Sequence, residues 1–94
     1  MALVSVLQND RQVKTFSLTA GGISIGRSDE NDVFLNDTTI SAQHAKIYTY
    51  FNTSYIEDLN STNGTFINGK QIQKHLIKPG DVVQIGKLKL KIED

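Results

Sequence analysis

Three short stretches of this 94-residue chain carry side chains that suit the binding of a phosphate group. They are Gly26-Arg27, Ser41–His44 and Asn60–Thr65. A phosphate on a peptide carries about −1.5 to −2 charges at neutral pH and presents three acceptor oxygens. A guanidinium, hydroxyl donors and backbone N–H groups hold such an anion best, because hydrogen bonds to a charged group are the strong ones. Arg27 supplies the guanidinium, and the other two stretches supply hydroxyl and amide donors.

Ser41 and His44 also allow an enzymatic interpretation, with the serine as nucleophile and the histidine as its base. No acidic residue stands in a comparable motif to orient the histidine, and the chain has no Gly-x-Ser-x-Gly turn. Arg27 likewise has a simpler alternative, an exposed ion pair with Asp29 or Glu30. The sequence favours binding over catalysis, and we expect no enzyme activity.

The order and spacing of the three stretches resemble the forkhead-associated (FHA) domain, from about Ile23 to Ile92. The most specific part of the resemblance is Asn60–Thr65, which reads Asn-Ser-Thr-Asn-Gly-Thr and is followed by Phe66–Gly69. The segment Leu76–Gly86, with its Pro-Gly-Asp sequence, is also similar to the end of that domain.

FHA domains recognise phosphorylated motifs, so the resemblance implies a module that binds phosphothreonine peptides. It would dock a protein phosphorylated by an upstream Ser/Thr kinase. The residues implied to contact the phosphopeptide are Arg27, Ser41, Thr62 and Asn63. The residues implied to support the site structurally are Gly26, His44 and Gly64. Arg27 would meet the phosphate, Ser41 would donate its hydroxyl with its backbone N–H as a further donor, and Asn63 would hold the peptide main chain.

Two features leave alternatives open. Many FHA domains have arginine or another polar residue after the serine, where this chain has Ala42, so one contact to the peptide is missing. A phosphate-independent protein-interaction domain of the same fold, with a weakened phosphate site, is therefore the alternative function. Asn63 also has a simpler explanation, since asparagine tolerates a positive φ in a turn before glycine.

The composition sets limits on the partners. The length predicts one domain over residues 1–94. With no cysteine, the chain has neither catalytic thiols nor disulfides, and the zero net charge argues against nucleic acid or an anionic membrane as partner. No apolar run approaches the length of a membrane span and no signal peptide is evident, so we expect a monomeric cytoplasmic protein without metal or cofactor.

Apolar residues recur with a period of two along most of the chain, as in strands with one buried face. The pattern is clearest at Leu88, Leu90 and Ile92, which alternate with lysines. Turn signals at intervals of roughly 8–12 residues predict an all-β sandwich. The resemblance implies the same fold: two antiparallel sheets of about 10–11 short strands, with binding loops at one end. We expect a brief helical turn near residues 39–44, and a turn at Gly21-Gly22.

Two charged segments have simple explanations. Lys87, Lys89 and Lys91 form a basic stripe typical of a solvated strand face, and would also suit an edge strand guarded against pairing. The acidic stretch Asp29–Asp32 lacks the glycine and the glutamate of a calcium-binding loop. We expect Asn31 and Asp32 to organise backbone turns instead.

Overall fold

The computed structural model describes residues 2–93, which contain eleven β-strands and no helix. The strands are β1 (Leu3–Gln8), β2 (Arg11–Ser17), β3 (Gly21–Gly26), β4 (Val33–Phe34), β5 (Ala45–Tyr50), β6 (Thr53–Asp58), β7 (Thr65–Ile67), β8 (Lys70–Ile72), β9 (Lys74–Ile77), β10 (Val82–Ile85) and β11 (Leu88–Glu93). No helix in this part of the chain is long and apolar enough to cross a membrane.

The strands form two sheets. The six-stranded sheet has the order β2-β1-β11-β10-β7-β8, and the five-stranded sheet has the order β4-β3-β5-β6-β9. All pairings are antiparallel except the two-residue pairing of β3 with β4, which is parallel. The predicted all-β sandwich is therefore confirmed, with one short parallel contact next to Gly26.

The core lies between the two sheets and follows from the period-two pattern. Along β11 the side chains alternate between buried and exposed positions, so Leu88, Leu90 and Ile92 face the opposite sheet. Ile47 on β5 and Ile56 on β6 are paired and fully buried on the other side of the core. Burial of these apolar surfaces supplies most of the free energy that holds the sheets together.

Several local predictions were wrong. Gly21 and Gly22 begin β3 instead of forming a turn, and the expected helical turn at residues 39–44 is an irregular segment without a helix. β8 and β9 had no separate prediction, because both are short and mostly exposed. β11 is paired on both sides, with β1 and β10, so its lysines do not guard an edge.

Four loops meet at one end of the sandwich. They connect β3 to β4, β4 to β5, β6 to β7 and β10 to β11, and hydrogen bonds join each to at least one of the others. At the far end the first residue of β1, Leu3, pairs with the last residue of β11, Glu93. The sandwich therefore holds the three stretches singled out above at the end opposite to the chain ends.

Candidate functional site

Gly26 ends β3 at a point where two backbones pass too close for a side chain. A Cβ atom there would lie 2.2 Å from the carbonyl oxygen of Ala42 and 2.8 Å from Nδ2 of Asn31. The next residue, Arg27, donates its backbone N–H to the carbonyl of Ser41 at 2.9 Å. The glycine thus lets the loop that carries Ser41 pack directly against the strand end that carries Arg27.

Arg27 itself is exposed at this end of the sandwich. Within residues 2–93, the side-chain hydrogen bonds of the loop after Arg27 are made by Ser28, Asn31 and Asp32, and none uses the guanidinium. The alternative of a surface ion pair with Asp29 or Glu30 is therefore not observed. The five N–H donors of the arginine are free to meet an anion.

Asn31 joins the loop between β3 and β4 to the loop between β4 and β5, beside Gly26. Its amide nitrogen donates to the carbonyls of Ser28 at 2.8 Å and Ala42 at 2.7 Å. Ala42 also accepts the backbone N–H of Ser28 at 3.1 Å. Position 42 therefore contributes to the site through its carbonyl, while its methyl group is exposed.

His44 is fully buried beneath the loops, and both ring nitrogens bind main-chain groups. Nδ1 accepts the N–H of Ser41 at 3.1 Å, and Nε2 lies 2.9 Å from the carbonyl oxygen of Gly64. Since Nδ1 accepts, a neutral ring carries its proton on Nε2 and donates it to Gly64. The imidazole thus joins the loop that carries Ser41 to the loop that carries Gly64, and leaves no nitrogen for the Ser41 hydroxyl.

The hydroxyl of Ser41 remains able to donate outward. Its oxygen accepts the backbone N–H of Thr62 at 2.9 Å, and its own proton has no acceptor among the hydrogen bonds of residues 2–93. The Ser41 N–H is donated to His44, so it is not available as the further donor expected from the sequence. Thr62 lies exposed beside this contact with its hydroxyl at the surface.

Asn63 is anchored by one of its amide protons. Nδ2 donates to the carbonyl of Thr39 at 2.9 Å, which leaves the second proton and the side-chain oxygen for a ligand. The positive φ angles of this loop fall at Asn60 (58°) and Gly64 (86°) and not at Asn63. The side chain is therefore held by a hydrogen bond between loops, and the explanation by backbone conformation does not apply.

Thr39 connects three loops, a role that the sequence did not indicate. Besides accepting from Asn63, it accepts the Lys87 N–H on Oγ1 at 2.9 Å. Its own N–H donates to Oδ1 of Asp37 at 2.8 Å, and its hydroxyl donates to the same oxygen. The hydroxyl bond is the main cause that lowers the pKa of Asp37. The spacing Asp37-x-Thr39 is typical of an Asx turn and could have pointed to this cluster.

Asp58 organises the loop that carries Thr62 and Asn63. Its carboxylate accepts the hydroxyls of Ser61 and Thr65 and the N–H of Ser61. Burial raises the pKa of Asp58, but these hydrogen bonds outweigh burial and hold it below its ordinary value of 3.8. Ser61 in turn accepts the N–H of Gly64 at 2.9 Å. The carboxylate is therefore ionised at neutral pH and stabilises the loop.

This arrangement predicts a loss of stability in acid. A group with a lowered folded-state pKa stabilises the fold above its unfolded pKa, and that stability is lost as the pH falls through the folded-state pKa. We expect the free energy of unfolding to fall as the pH drops below about 5. Asp58→Asn should lower it by about 1–3 kcal/mol at pH 7 and flatten this pH dependence. Urea denaturation at several pH values measures both effects.

Asp32 and Asp37 also have lowered pKa values, chiefly through hydrogen bonds from Ser24 and Thr39. Protonation of Asp32 and Asp37 also lowers the free energy of unfolding in acid. Asp58→Asn should therefore reduce the slope of this free energy against pH without abolishing it. An unchanged slope in the variant would show that Asp58 does not stabilise the fold through its charge.

Comparison with known proteins identifies the family. The FHA domain profile matches residues 23–86, about two thirds of the chain. The chain belongs to the FHA domain family. This confirms the resemblance found in the sequence, although the profile match ends before β11.

Curated relatives of this FHA domain include bacterial regulators. The glycogen accumulation regulator GarA of Mycobacterium tuberculosis is 35% identical over 89 residues, which are 95% of this chain and 55% of that protein. The oxoglutarate dehydrogenase inhibitor of Corynebacterium efficiens is 33% identical over 89 residues, 95% of this chain and 63% of that protein. The chain therefore spans little more than half the length of these relatives.

Solved structures show the same fold. The FHA domain of FhaA, complexed with the intracellular domain of Rv3910, has a TM-score of 0.91 at 29% identity, covering 99% of this chain and all of that one. A structure of phosphothreonine-dependent FHA domain interactions has a TM-score of 0.90 at 29% identity, covering 100% of this chain and 97% of that one.

Proposed function

We propose that this FHA domain binds phosphothreonine peptides and so connects phosphorylation of a partner protein to its docking. The observation that carries the proposal is the Ser41 hydroxyl, which accepts the Thr62 N–H and keeps its own proton for a ligand. The backbone N–H of Arg27 is hydrogen-bonded to the carbonyl of the same serine, and the guanidinium of Arg27 is exposed. A hydroxyl donor and a guanidinium that is free of other hydrogen bonds, on two loops joined at their backbones, suit a dianionic phosphate.

The remaining roles follow from the free groups of each side chain. Arg27 would bind the phosphate with two or more N–H donors, and Ser41 and Thr62 would donate their hydroxyls. Asn63 would bind the peptide main chain with its second amide proton and its oxygen, since the first proton is donated to Thr39. Gly26, His44 and Gly64 would support these residues from beneath, as their contacts indicate.

The names of similar proteins support the proposal. One similar solved structure comes from a structural and functional analysis of phosphothreonine-dependent FHA domain interactions. Another is an FHA domain in complex with an intracellular domain. GarA and the oxoglutarate dehydrogenase inhibitor are regulators by name. We propose that this chain acts as a non-enzymatic docking module in the cytoplasm, for a partner phosphorylated by a Ser/Thr kinase.

Selection of threonine over serine would require a pocket for the methyl group. Burial of one methyl contributes about 0.8 kcal/mol, or roughly fourfold in affinity. A larger preference would need tight packing around that methyl and a peptide that already favours the bound conformation.

The test is fluorescence anisotropy with three degenerate peptide libraries, centred on phosphothreonine, phosphoserine or unmodified threonine. We expect binding to the phosphothreonine library, weaker binding to phosphoserine by about fourfold or more, and none to threonine. No binding to any library by the folded protein would contradict the proposal. Equal binding to modified and unmodified libraries, or a partner that stays bound after phosphatase treatment, would instead support phosphate-independent binding.

A further inference from the structure

The outward face of β11 carries two lysines at the centre of the six-stranded sheet. Lys89 and Lys91 are exposed, and alternate with buried leucine and isoleucine residues. Because β11 pairs with β1 on one side and β10 on the other, these lysines cannot serve to protect a sheet edge. Together with Lys87 in the preceding turn they form what we call the β11 lysine stripe.

The neighbouring strands provide no carboxylate beside the two strand lysines. In the register of the sheet, Lys89 lies between Leu7 of β1 and Gln84 of β10. Lys91 lies between Ser5 and Val82, which are also uncharged. The positive charge of the stripe is therefore not neutralised across the sheet, although opposite charges at such positions would stabilise it.

Three acidic groups lie near the stripe. Asp10, in the turn between β1 and β2, lines a hollow of about 240 Å³ together with Lys87 and Lys89. Asp37 is close enough to Lys87 for that lysine to help lower its pKa, after the larger effect of the Thr39 hydrogen bonds. Glu93, at the other end, accepts the hydroxyl of Ser5. Lys89 and Lys91 themselves remain exposed on the outward face of β11.

The stripe is continuous with the candidate phosphate site. Lys87 donates its backbone N–H to Oγ1 of Thr39, and the carbonyl of the same threonine accepts from Asn63. A single residue therefore separates the first lysine from a side chain that would hold the peptide. From Lys87 the stripe runs away from the site along β11. Successive lysines are about 7 Å apart, which is twice the rise per residue of a strand.

We propose that the β11 lysine stripe binds an acidic, extended segment of the same phosphorylated partner. In an extended peptide, acidic residues at alternate positions are also about 7 Å apart, so they match the lysines in spacing as well as charge. This inference rests on the proposed function, since the phosphothreonine would place the segment at Lys87. The stripe would select among phosphothreonine partners by charge and would raise their rate of association.

A nucleic acid is the less suitable occupant of this surface. The chain has a formal net charge of zero, and affinity for nucleic acid comes from neutralising many phosphates. Three lysines in one row that ends at a peptide-binding site fit a short acidic peptide better.

The experiment uses one phosphothreonine peptide that binds the protein, extended on its N-terminal or C-terminal side by six residues that alternate Glu and Ser. Matched extensions carry Gln in place of Glu. Binding is measured by anisotropy for wild type, for the double variant Lys89→Gln/Lys91→Gln, and for the control Lys46→Gln/Lys74→Gln. The control lysines lie on the outward face of the other sheet, over the rings of Tyr48 and Tyr55.

We expect one acidic extension to tighten binding to wild type by about 3- to 10-fold at low salt, the effect of two or three exposed ion pairs. The gain should vanish with Gln extensions, in high salt and in Lys89→Gln/Lys91→Gln. That variant should bind the unextended peptide as wild type does, and the control should keep the gain.

Four results would overturn the inference. No gain from either acidic extension, or a gain that survives in the stripe variant, would remove the stripe from peptide recognition while leaving the proposed function intact. If the folded wild type binds no phosphothreonine peptide, so that no peptide can be chosen for extension, both proposals fail. If a single-stranded oligonucleotide binds wild type without peptide and does not bind the stripe variant, the surface is a nucleic-acid contact.

Discussion

Arg27→Ala should weaken the binding of a phosphothreonine peptide by about 10- to 150-fold, because a hydrogen bond to a charged group contributes about 1.5–3 kcal/mol. The free energy of unfolding should not change. The guanidinium is exposed, and the contact of Arg27 with Ser41 uses the backbone N–H, which alanine retains. Isothermal titration with the phosphopeptide gives the affinity, and urea denaturation gives the stability.

The chain offers a matched control for this variant. Arg11 is the other arginine, exposed at the start of β2, and Arg11→Ala should leave the affinity unchanged. Arg27→Lys should lose part of the affinity, because an ammonium keeps the charge but cannot form the two parallel bonds of a guanidinium. If Arg27→Ala binds the phosphopeptide as tightly as wild type, the phosphate is bound elsewhere.

His44→Ala should lower the free energy of unfolding by about 3–5 kcal/mol. The ring is fully buried, so its removal leaves a cavity. It also leaves the N–H of Ser41 and the carbonyl of Gly64 without partners, at a cost of about 1–3 kcal/mol each. Urea denaturation at pH 7 measures the loss.

His75→Ala is the control for this substitution, since the chain has only these two histidines. His75 is exposed on β9, an edge strand of its sheet, and bonds only the carbonyl of the next residue, Leu76, through its ring. Its removal should change the free energy of unfolding by less than about 0.5 kcal/mol. Equal effects of the two substitutions would show that His44 does not hold the loops together.

The sequence was sufficient to predict the sandwich because its strands have one buried face, as β11 shows with its alternating leucines and lysines. Prediction failed where this signal is absent. β8 and β9 are short and largely exposed; β8 pairs with the preceding strand β7, whereas β9 pairs with β6, which lies earlier in the chain. The glycines of β3 suggested a turn, yet Gly22 pairs with Tyr48 inside the sheet. Tertiary pairing overrides local preference at such positions.

The meeting of the three motifs at one end of the sandwich could be predicted, but the bonds that hold them there could not. Arg27, Ser41, Thr62 and Asn63 all lie on the loops at one end of the sandwich. The role of Thr39 in joining the loops could not be predicted, because its partners Asn63 and Lys87 are 24 and 48 residues away in the sequence. Such contacts produce no local pattern and become visible only when the loops are placed together.

The hydrogen bonds of His44 and Thr39 have a consequence for how binding proceeds. They join different loops in the free protein, so the conformational entropy of ordering these loops is lost during folding and not during recognition. A preorganised site keeps more of its contact free energy as affinity. Association should then be a single bimolecular step without a slow rearrangement, and ligands of different affinity should differ mainly in their residence times.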